Sequence, residues 1–420
     1  MTSEKSKTPA TALSVAKPEE VGFSSERMAR IGQSMQKYID GRMMPGVVTL
    51  VARHGRIVHF ESRGLMDIGA RRPMANDTIF RIMSMTKPIA CVGLMMLYEE
   101  GHFLLDQPIS RYLPSFKNAV VKTKRGMTEP ARREINFRDC LTHTAGFDSL
   151  AYTRINSRFS TSSVQPLPPT TPNVVNQPGQ QGTVEEAVEL LAKEPLNFQP
   201  GTDWEYHPGH DVVGVLIEKI SGQRLDVFLK ERILDPLNMV DTHFYLPKAK
   251  AGRLAAGYTP YENEWGRIGL IDSPGTSRIV VGPRTFFSAG GGLNSTAADY
   301  SRFAQMLLNG GELDGVRILG RKTVELMTTN HTGDIYIERK GPGYGYGLGF
   351  FVRLSLADCP LVGSVGAYGW GGIFCTSYFA DPKEDMFGLM FTQVLNANRY
   401  PDFTMRTDFE RMVYQALVGD

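Results

Sequence analysis

A serine and a lysine lie three residues apart in the segment Ser84-Met85-Thr86-Lys87. At the start of a helix, this spacing places both side chains on one face, one turn apart. A serine hydroxyl is a weak nucleophile and needs a neighbouring base to remove its proton. A lysine can be that base where burial and the positive end of a helix dipole disfavour its ammonium form. Taken alone, such a pattern more often marks a helix-capping serine and a solvated lysine.

The residues around this segment favour a buried lysine instead. The flanks are mostly apolar, from Phe80 to Met83 on one side and from Ile89 to Leu97 on the other. We expect a helix from Ser84 to Gly101, with Gly101 as its C-terminal stop. Because that helix is largely apolar, Lys87 is expected to be partly buried, and a buried lysine indicates a specific role.

Other patterns predict the elements that surround this helix. Two β-branched runs, Gly46–Arg53 and Arg56–Phe60, flank a short glycine-containing turn and predict a hairpin. Further strands are predicted near the other end of the chain, over residues 374–379 and 386–393. The run Asp211–Ser221 has apolar residues on one side and predicts a helix. Strands at both ends with helices between them indicate one sheet built from both ends of the chain.

The predicted fold is α+β, with a central antiparallel sheet flanked by helices and a mostly helical lobe. We assign residues 1–115 and 275–420 to a discontinuous α/β sheet domain and residues 116–274 to the helical domain. Within the latter, residues 157–182 are rich in Ser, Thr, Pro, Gln and Asn, which predicts a long loop. A loop that covers a pocket and a plain surface excursion both remain open.

The composition excludes several classes of protein. The 46 basic and 44 acidic residues leave a net charge of +2, which gives no reason to expect nucleic acid or an anionic membrane as partner. No apolar stretch approaches the roughly 20 residues of a membrane helix. The four cysteines form no C-x-x-C pair, so no metal cage or disulfide framework is expected. The chain start lacks the order of a signal peptide, and we expect a cytoplasmic location.

Six short segments form a characteristic set when they are taken in chain order. They are Arg81-Ile-Met-Ser-Met-Thr-Lys-Pro88, Leu141-Thr-His-Thr-Ala-Gly146, Pro200-Gly-Thr-Asp-Trp-Glu-Tyr206, Ser288-Ala-Gly-Gly-Gly292, Tyr344-Gly-Tyr-Gly-Leu-Gly349 and Trp370-Gly-Gly372. Together they resemble the serine β-lactamase and penicillin-binding-protein fold, particularly its class C-like esterases, the family VIII carboxylesterases. The resemblance extends over nearly the whole chain, and the set is specific although each segment is modest alone.

The resemblance implies roles for residues outside the first motif. Tyr206 matches the tyrosine of the family's Y-x-N element, which shares proton transfer with the lysine. The segment Trp370-Gly371-Gly372 stands where β-lactamases carry Lys-Thr-Gly, on a strand that would run beside the serine. The backbone N–H groups of the serine and of Ile373 would form the oxyanion hole, which stabilises the charge on an attacked carbonyl. Glycines there would let a substrate approach the strand closely.

The resemblance also implies a substrate contact for Tyr152, since a tyrosine in this region lines the pocket of related esterases. The alternative for Tyr152 is ordinary packing at the surface. Both readings stay open at the level of sequence.

Two departures from the β-lactamase pattern bear on the substrate. Pro208 stands where a lactamase has asparagine, and Trp370 stands where it has lysine. Lactamases and penicillin-binding proteins use such groups to hold the amide and carboxylate of their substrates. Their loss favours a carboxylesterase that forms an acyl-enzyme on Ser84, with Lys87 and Tyr206 sharing the roles of general base and acid. Which of the two is the dominant base stays open.

Other activities are compatible with the same residues. They are a β-lactamase or D-alanyl peptidase, an acyltransferase that uses the same acyl-enzyme, and a non-catalytic penicillin-binding-type protein. The chemistry implied requires no cofactor and no metal, and the expected partner is a small-molecule ester. A homo-oligomer is left open.

Overall fold

A computed structural model gives the fold of residues 13–124, 126–159, 182–206, 208–263, 266–400 and 404–419. The α-helices are α1 (Ser25–Asp40), α2 (Thr86–Glu99), α3 (Phe137–Thr142), α4 (Ser149–Phe159), α5 (Val184–Leu191), α6 (Gly209–Ser221), α7 (Leu225–Leu229), α8 (Arg278–Val281), α9 (Ala297–Leu308), α10 (Arg321–Met327) and α11 (Met405–Tyr414). No helix in these ranges is both long enough and apolar enough to cross a membrane.

The strands come mainly from the two ends of the chain. They are β1 (Ser14–Val15), β2 (Gly46–Arg53), β3 (Arg56–Asp67), β4 (Arg72–Pro73), β5 (Phe80–Arg81), β6 (Val120–Lys122), β7 (Thr128–Pro130), β8 (Gly257–Asn263), β9 (Gly266–Asp272), β10 (Asn294–Ser295), β11 (Glu312–Leu313), β12 (Val316–Arg317), β13 (Tyr344–Tyr346), β14 (Phe351–Arg353), β15 (Tyr368–Gly371), β16 (Ser377–Asp381) and β17 (Met386–Phe391).

One large sheet joins both ends of the chain, as the sequence predicted. Among the described residues it has nine strands in the order β1-β3-β2-β17-β16-β15-β14-β13, with β4 paired to β3. The C-terminal strand β17 pairs with β2 from Met386↔Arg53 to Phe391↔Val48. Neighbouring strands run antiparallel except at the edge, where the short β1 joins β3 in parallel.

Both faces of this sheet are covered, so the strands are buried on both sides. Every residue of β2 is buried. Because successive side chains of a strand point to opposite faces, Val47 and Val51 pack in a cluster with α1 and α11, whereas Val48 and Leu50 pack in the main core with α2 and α9. The sheet therefore separates two apolar layers, and α2 lies in the larger one.

The helices between the two ends form the predicted lobe against α2. Helix α5 begins with a capping box in which Thr183 and Glu186 bond reciprocally. Helix α6 contains the predicted run Asp211–Ser221 and ends at Gly222, which is in the left-handed conformation with φ of 70°. Helix α2 is buried along twelve consecutive residues, from Thr86 to Leu97. A helix that is apolar all round lies inside a protein, as α2 does here.

Three expectations need a correction or a qualification. The α-helix begins at Thr86 rather than Ser84, because Met83–Met85 form a separate 3-10 turn. Helix α4 continues to Phe159, so the predicted loop starts later than residue 157, and residues 160–181 of it lie outside the described residues. The domain boundaries stay a prediction; Tyr258 and Ile268, assigned to the helical domain, pack in the cluster with α1 and α11.

Candidate active site

Ser84 lies in the 3-10 turn that connects the short strand β5 to α2. The preceding residue, Met83, has φ of 48°, a left-handed conformation that is costly for a residue with a side chain. The turn is fastened on both sides: the Tyr300 hydroxyl donates to the Met85 carbonyl at 3.1 Å, and the Thr376 hydroxyl donates to the Ile82 carbonyl at 3.2 Å. These bonds hold Ser84 in a turn that the chain would otherwise not favour.

Lys87 is fully buried in the first turn of α2, with no solvent-exposed surface. Its Nζ donates to Ser84 Oγ at 3.0 Å and to the Gly290 carbonyl oxygen at 2.5 Å. No side chain caps α2 at its N-terminus. The alternatives of a solvated lysine and a helix-capping serine are therefore wrong, and the two side chains face each other as the spacing predicted.

Tyr206 lies just before α6 and approaches Ser84 from the helical lobe. Its hydroxyl donates to Ser84 Oγ at 2.6 Å. Burial by itself would raise the pKa of this phenol, but the positive charges of Lys87 and Arg339 and hydrogen bonds with Lys87 and Ser84 together lower it. The Ser84 hydroxyl thus lies between a buried lysine and a phenol whose pKa is lowered.

The end of β15 packs directly against the Ser84 turn. The turn after this strand is closed by bonds from Gly372 N to the Thr376 carbonyl at 2.9 Å and from Cys375 N to the Gly372 carbonyl at 3.0 Å. A Cβ on Gly372 would lie 2.4 Å from the Ile82 carbonyl oxygen, so only glycine permits this approach. Among the described residues, neither the N–H of Ser84 nor that of Ile373 has a hydrogen-bond acceptor.

An aromatic wall extends from this strand to the helical lobe. The ring of Trp370 lies 5.5 Å from that of Tyr206 and 5.3 Å from that of Tyr346. His143, at the end of α3, has its ring 4.8 Å from that of Tyr206. Ile373, three residues after Trp370, is 47 % exposed. Trp370 and Tyr346 are buried, so this wall is an aromatic cluster that packs against the ring of Tyr206.

Tyr152 does not join these residues. It is fully buried in α4, and its hydroxyl donates to Asp211 Oδ2 at 2.7 Å. The predicted substrate contact is wrong in this structure, as is the alternative of surface packing, because the phenol is engaged inside the lobe by a carboxylate that the sequence did not connect with it. Ser84, Lys87, Tyr206 and the segment Trp370–Ile373 are brought together as expected.

Two residues near the site were missed from the sequence. Arg339, in the segment before β13, lies with its guanidinium carbon 4.1 Å from the centroid of the Tyr206 ring. It occurs in a polar stretch without a motif, so no local signal marks it. Asp211 does carry a local signal, because it is a charged residue at the start of a run of apolar residues on α6.

The described residues contain no group of three or more His, Cys, Asp or Glu side chains that could hold a metal ion. The groups that surround Ser84 are instead a buried ammonium, a phenol and unbonded backbone N–H groups. This arrangement can activate a hydroxyl as a nucleophile and stabilise a developing negative charge.

Comparison with known proteins agrees with this chemistry. The sequence profile of the Beta-lactamase family matches residues 31–410. The chain is 36 % identical over 376 residues to Protein Rv1367c of Mycobacterium tuberculosis, covering 86 % of this chain and 88 % of that protein. It is 27 % identical over 379 residues to Esterase EstB of Burkholderia gladioli, covering 87 % and 90 %.

Among solved structures, the fold is similar to that of EstCE1, a hydrolase with promiscuous acyltransferase activity. The TM-score is 0.73 at 25 % sequence identity, and the match covers 94 % of this chain and 99 % of that one. The chain therefore belongs to the β-lactamase family of serine hydrolases, and its resemblance to the family VIII carboxylesterases is confirmed.

Proposed function

We propose that this protein hydrolyses small carboxylic esters through an acyl-enzyme on Ser84. The observation that carries the proposal is the placement of Ser84 Oγ 3.0 Å from Lys87 Nζ and 2.6 Å from the Tyr206 hydroxyl. Likeness over most of the chain to Esterase EstB and to the hydrolase EstCE1 supports it.

Tyr206 is the proposed base, and Lys87 supports it. Burial raises the pKa of the Tyr206 phenol, but the charges of Lys87 and Arg339 and the hydrogen bonds with Lys87 and Ser84 together lower it, which favours the phenolate. As Ser84 Oγ bonds to the ester carbonyl carbon, its proton passes to that phenolate. The buried Lys87 ammonium stays between the two oxygens and stabilises whichever one carries the negative charge.

The remaining steps use the same groups. When the tetrahedral intermediate collapses, the bond from carbon to the alcohol oxygen breaks, and the alcohol leaves with the proton from Tyr206. A water molecule then attacks the acyl-enzyme, giving a proton to Tyr206 and its hydroxyl to the acyl carbon. Ser84 Oγ recovers that proton as the carboxylic acid leaves, which returns the enzyme to its starting state.

The oxyanion hole is assigned to the backbone N–H groups of Ser84 and Ile373. Both lack an acceptor among the described residues, and the close packing of Gly372 on Ile82 keeps the two turns in contact. Donors that are already fixed before the reaction stabilise an oxyanion without further reorganisation.

An ester is preferred to a β-lactam because the third motif supplies no cation. Trp370 contributes an aromatic ring beside Tyr206 where a lactamase would have lysine, and Pro208 replaces an amide side chain. Transfer of the acyl group to a second alcohol is the competing outcome of the same intermediate, and the acyltransferase activity named for EstCE1 favours it as the second candidate. The cytoplasmic location stays a prediction, and a homo-oligomer stays open.

The test compares hydrolysis of p-nitrophenyl butyrate and of nitrocefin by the parent protein and by Ser84→Ala. We expect rapid ester cleavage and little nitrocefin turnover by the parent. Removal of the nucleophile should lower the ester rate by a factor on the order of 10⁵ to 10⁶, as in other serine hydrolases. Preferential turnover of nitrocefin would instead identify a β-lactamase. An alanine variant as active as the parent would show that the nucleophile lies elsewhere.

A further inference from the structure

A buried carboxylate behind the active site gathers three hydrogen bonds. Asp211, in the first turn of α6, has no solvent-exposed surface. Its Oδ2 accepts from the Tyr152 hydroxyl at 2.7 Å, and its Oδ1 accepts from the Ser288 hydroxyl at 2.7 Å and from the Gly290 N–H at 2.9 Å. A buried carboxylate is costly unless its oxygens are bonded, and here three donors supply those bonds.

These donors come from outside α6, which distinguishes Asp211 from a side chain that caps its own helix. Tyr152 belongs to α4, and Ser288 and Gly290 belong to the segment 288–292 that precedes β10. A carboxylate in the first turn is stabilised by its own helix dipole in any case. Bonds to two other segments add nothing to that capping, but they fix both segments relative to α6 and therefore relative to Tyr206.

The segment 288–292 transmits this arrangement to the lysine. The N–H of Gly290 donates to Asp211, while the carbonyl oxygen of the same residue accepts from Lys87 Nζ at 2.5 Å. Lys87 also donates to Ser84 Oγ and has a hydrogen bond with Tyr206. The ammonium is thus held between the serine and a carbonyl whose own position depends on Asp211.

We propose that Asp211, with Tyr152 and Ser288, is a positioning group that holds the Gly290 carbonyl on Lys87 and so keeps the ammonium between Ser84 and Tyr206. This inference rests on the proposed function. Without the carboxylate, the segment 288–292 loses two of its bonds to α6. The Gly290 carbonyl is then free to turn away, and Lys87 loses the acceptor that orients it. Displacement of a reacting group by about 1 Å can cost about 100-fold in rate.

Tyr152 is suited to the task because it remains a neutral donor. Burial, and then the negative charge of Asp211, raise the pKa of its phenol well above the ordinary range. The hydroxyl therefore keeps its proton at any working pH and donates constantly to the carboxylate. The buried tyrosine expected to touch the substrate acts in this proposal on the lysine instead, through Asp211 and Gly290.

The central variant is Asp211→Asn, which keeps the size of the side chain but replaces an acceptor oxygen by an N–H group. We expect kcat for p-nitrophenyl butyrate to fall about 10- to 100-fold with little change in KM, since the substrate does not touch Asp211. Because the charge of a well-placed Lys87 helps to lower the pKa of Tyr206, the acid limb of kcat/KM should also move to higher pH. Tyr152→Phe and Ser288→Ala each remove one bond and should produce smaller effects in the same direction.

Tyr258→Phe is the matched control for loss of a buried hydroxyl. Its oxygen accepts from the Ile68 N–H at 2.8 Å, outside the chain of contacts from Asp211 to Lys87. We expect this variant to retain the parent's kcat and pH profile. Equal losses of kcat in Tyr258→Phe and Tyr152→Phe would show that both variants act through general destabilisation, which would overturn the proposal.

The rate at which a fluorophosphonate labels Ser84 separates failure of this inference from failure of the proposed function. Slower labelling of Asp211→Asn, with the acid limb of the labelling rate at higher pH than in the parent, supports the positioning role whatever the preferred ester is. If Asp211→Asn does not fold, Tyr152→Phe and Ser288→Ala carry the same test. Parent-like labelling and kcat in every folded variant would overturn the inference, whereas ester hydrolysis by Ser84→Ala would overturn the proposed function itself.

Discussion

The phenol of Tyr206 faces two cations from different parts of the fold. Lys87 reaches it from α2, with Nζ 4.7 Å from the ring centroid, and Arg339 reaches it from the segment before β13 at 4.1 Å. His143 and Tyr346 are the titratable neighbours on the remaining sides. Burial favours the neutral phenol, yet the pKa of Tyr206 is lowered, so the positive charges and hydrogen bonds together prevail. Arg339 is exposed, and it is the cation that can be removed without touching Ser84.

The variant Arg339→Met should move the acid limb of kcat/KM to higher pH. Loss of the positive charge raises the pKa of Tyr206, so the phenolate forms only at higher pH and activity disappears first on the acid side. The measurement is the pH profile for p-nitrophenyl butyrate at low and at high salt. Because Arg339 is exposed, added salt should shrink the difference between variant and parent.

Arg339→Lys keeps the charge and serves as the control, with an acid limb close to that of the parent. A profile for Arg339→Met that coincides with the parent's at low salt would contradict the electrostatic role of Arg339. A shift that persists unchanged at high salt would indicate a rearranged site rather than a lost charge.

At the scale of elements, the contact between the β15 turn and the Ser84 turn decides the geometry of the proposed oxyanion hole. A Cβ on Gly372 would lie 2.2 Å from Thr376 Oγ1 and 2.4 Å from the Ile82 carbonyl oxygen. Gly372→Ala must therefore push the two turns apart. We expect a loss of about 100-fold in kcat for ester hydrolysis, since the two N–H donors would no longer converge.

Gly275→Ala is the control for this change. Nothing lies within 4 Å of the added Cβ, and the backbone at Gly275 is not left-handed, so activity and thermal stability should match the parent. Full activity in purified Gly372→Ala would show that the β15 turn does not contribute a donor to the reaction.

The elements also show where prediction from sequence succeeds. Local patterns specify the reciprocal cap at Thr183 and the approach of Lys87 to Ser84, because both depend on residues three apart. Tyr206 is distant in the chain and was found only through the resemblance. The 3-10 turn at Ser84 depends on a left-handed Met83, which sterics disfavour and which contacts from other segments impose.

Tertiary contacts explain the misses. Nothing local distinguishes Tyr152 from a pocket residue, because the partner of its hydroxyl is Asp211, a residue in another helix. Arg339 likewise has a role only because the fold brings its segment next to the ring of Tyr206. Such residues carry a role that arises from the packing of separate elements and leaves no periodic pattern.

At the scale of the whole molecule, the two ends of the chain support the site together. Helix α11 packs on α1 and on the outer face of the sheet, where Phe409 is fully buried against Phe379, with ring centroids 6.2 Å apart. The same helix carries Arg406, which donates to the Gly372 carbonyl at the end of β15. The C-terminal helix therefore closes an apolar layer and braces the turn beside Ser84.

Phe409→Ala should lower both stability and activity for this reason. Removal of a buried phenylalanine costs about 3–5 kcal/mol of the free energy of unfolding, through lost apolar burial and the cavity left behind. Urea unfolding should show a lower midpoint, and ester hydrolysis should decline as α11 loosens its hold on Gly372. Arg411→Ala on the exposed side of α11, where the side chain is 62 % exposed, is the control and should change the free energy of unfolding by about 0.5 kcal/mol or less.

If Phe409→Ala unfolds at the parent's urea concentration, α11 is not part of the cooperative core. If it is destabilised yet fully active below its transition, the helix stabilises the fold without bracing the active site.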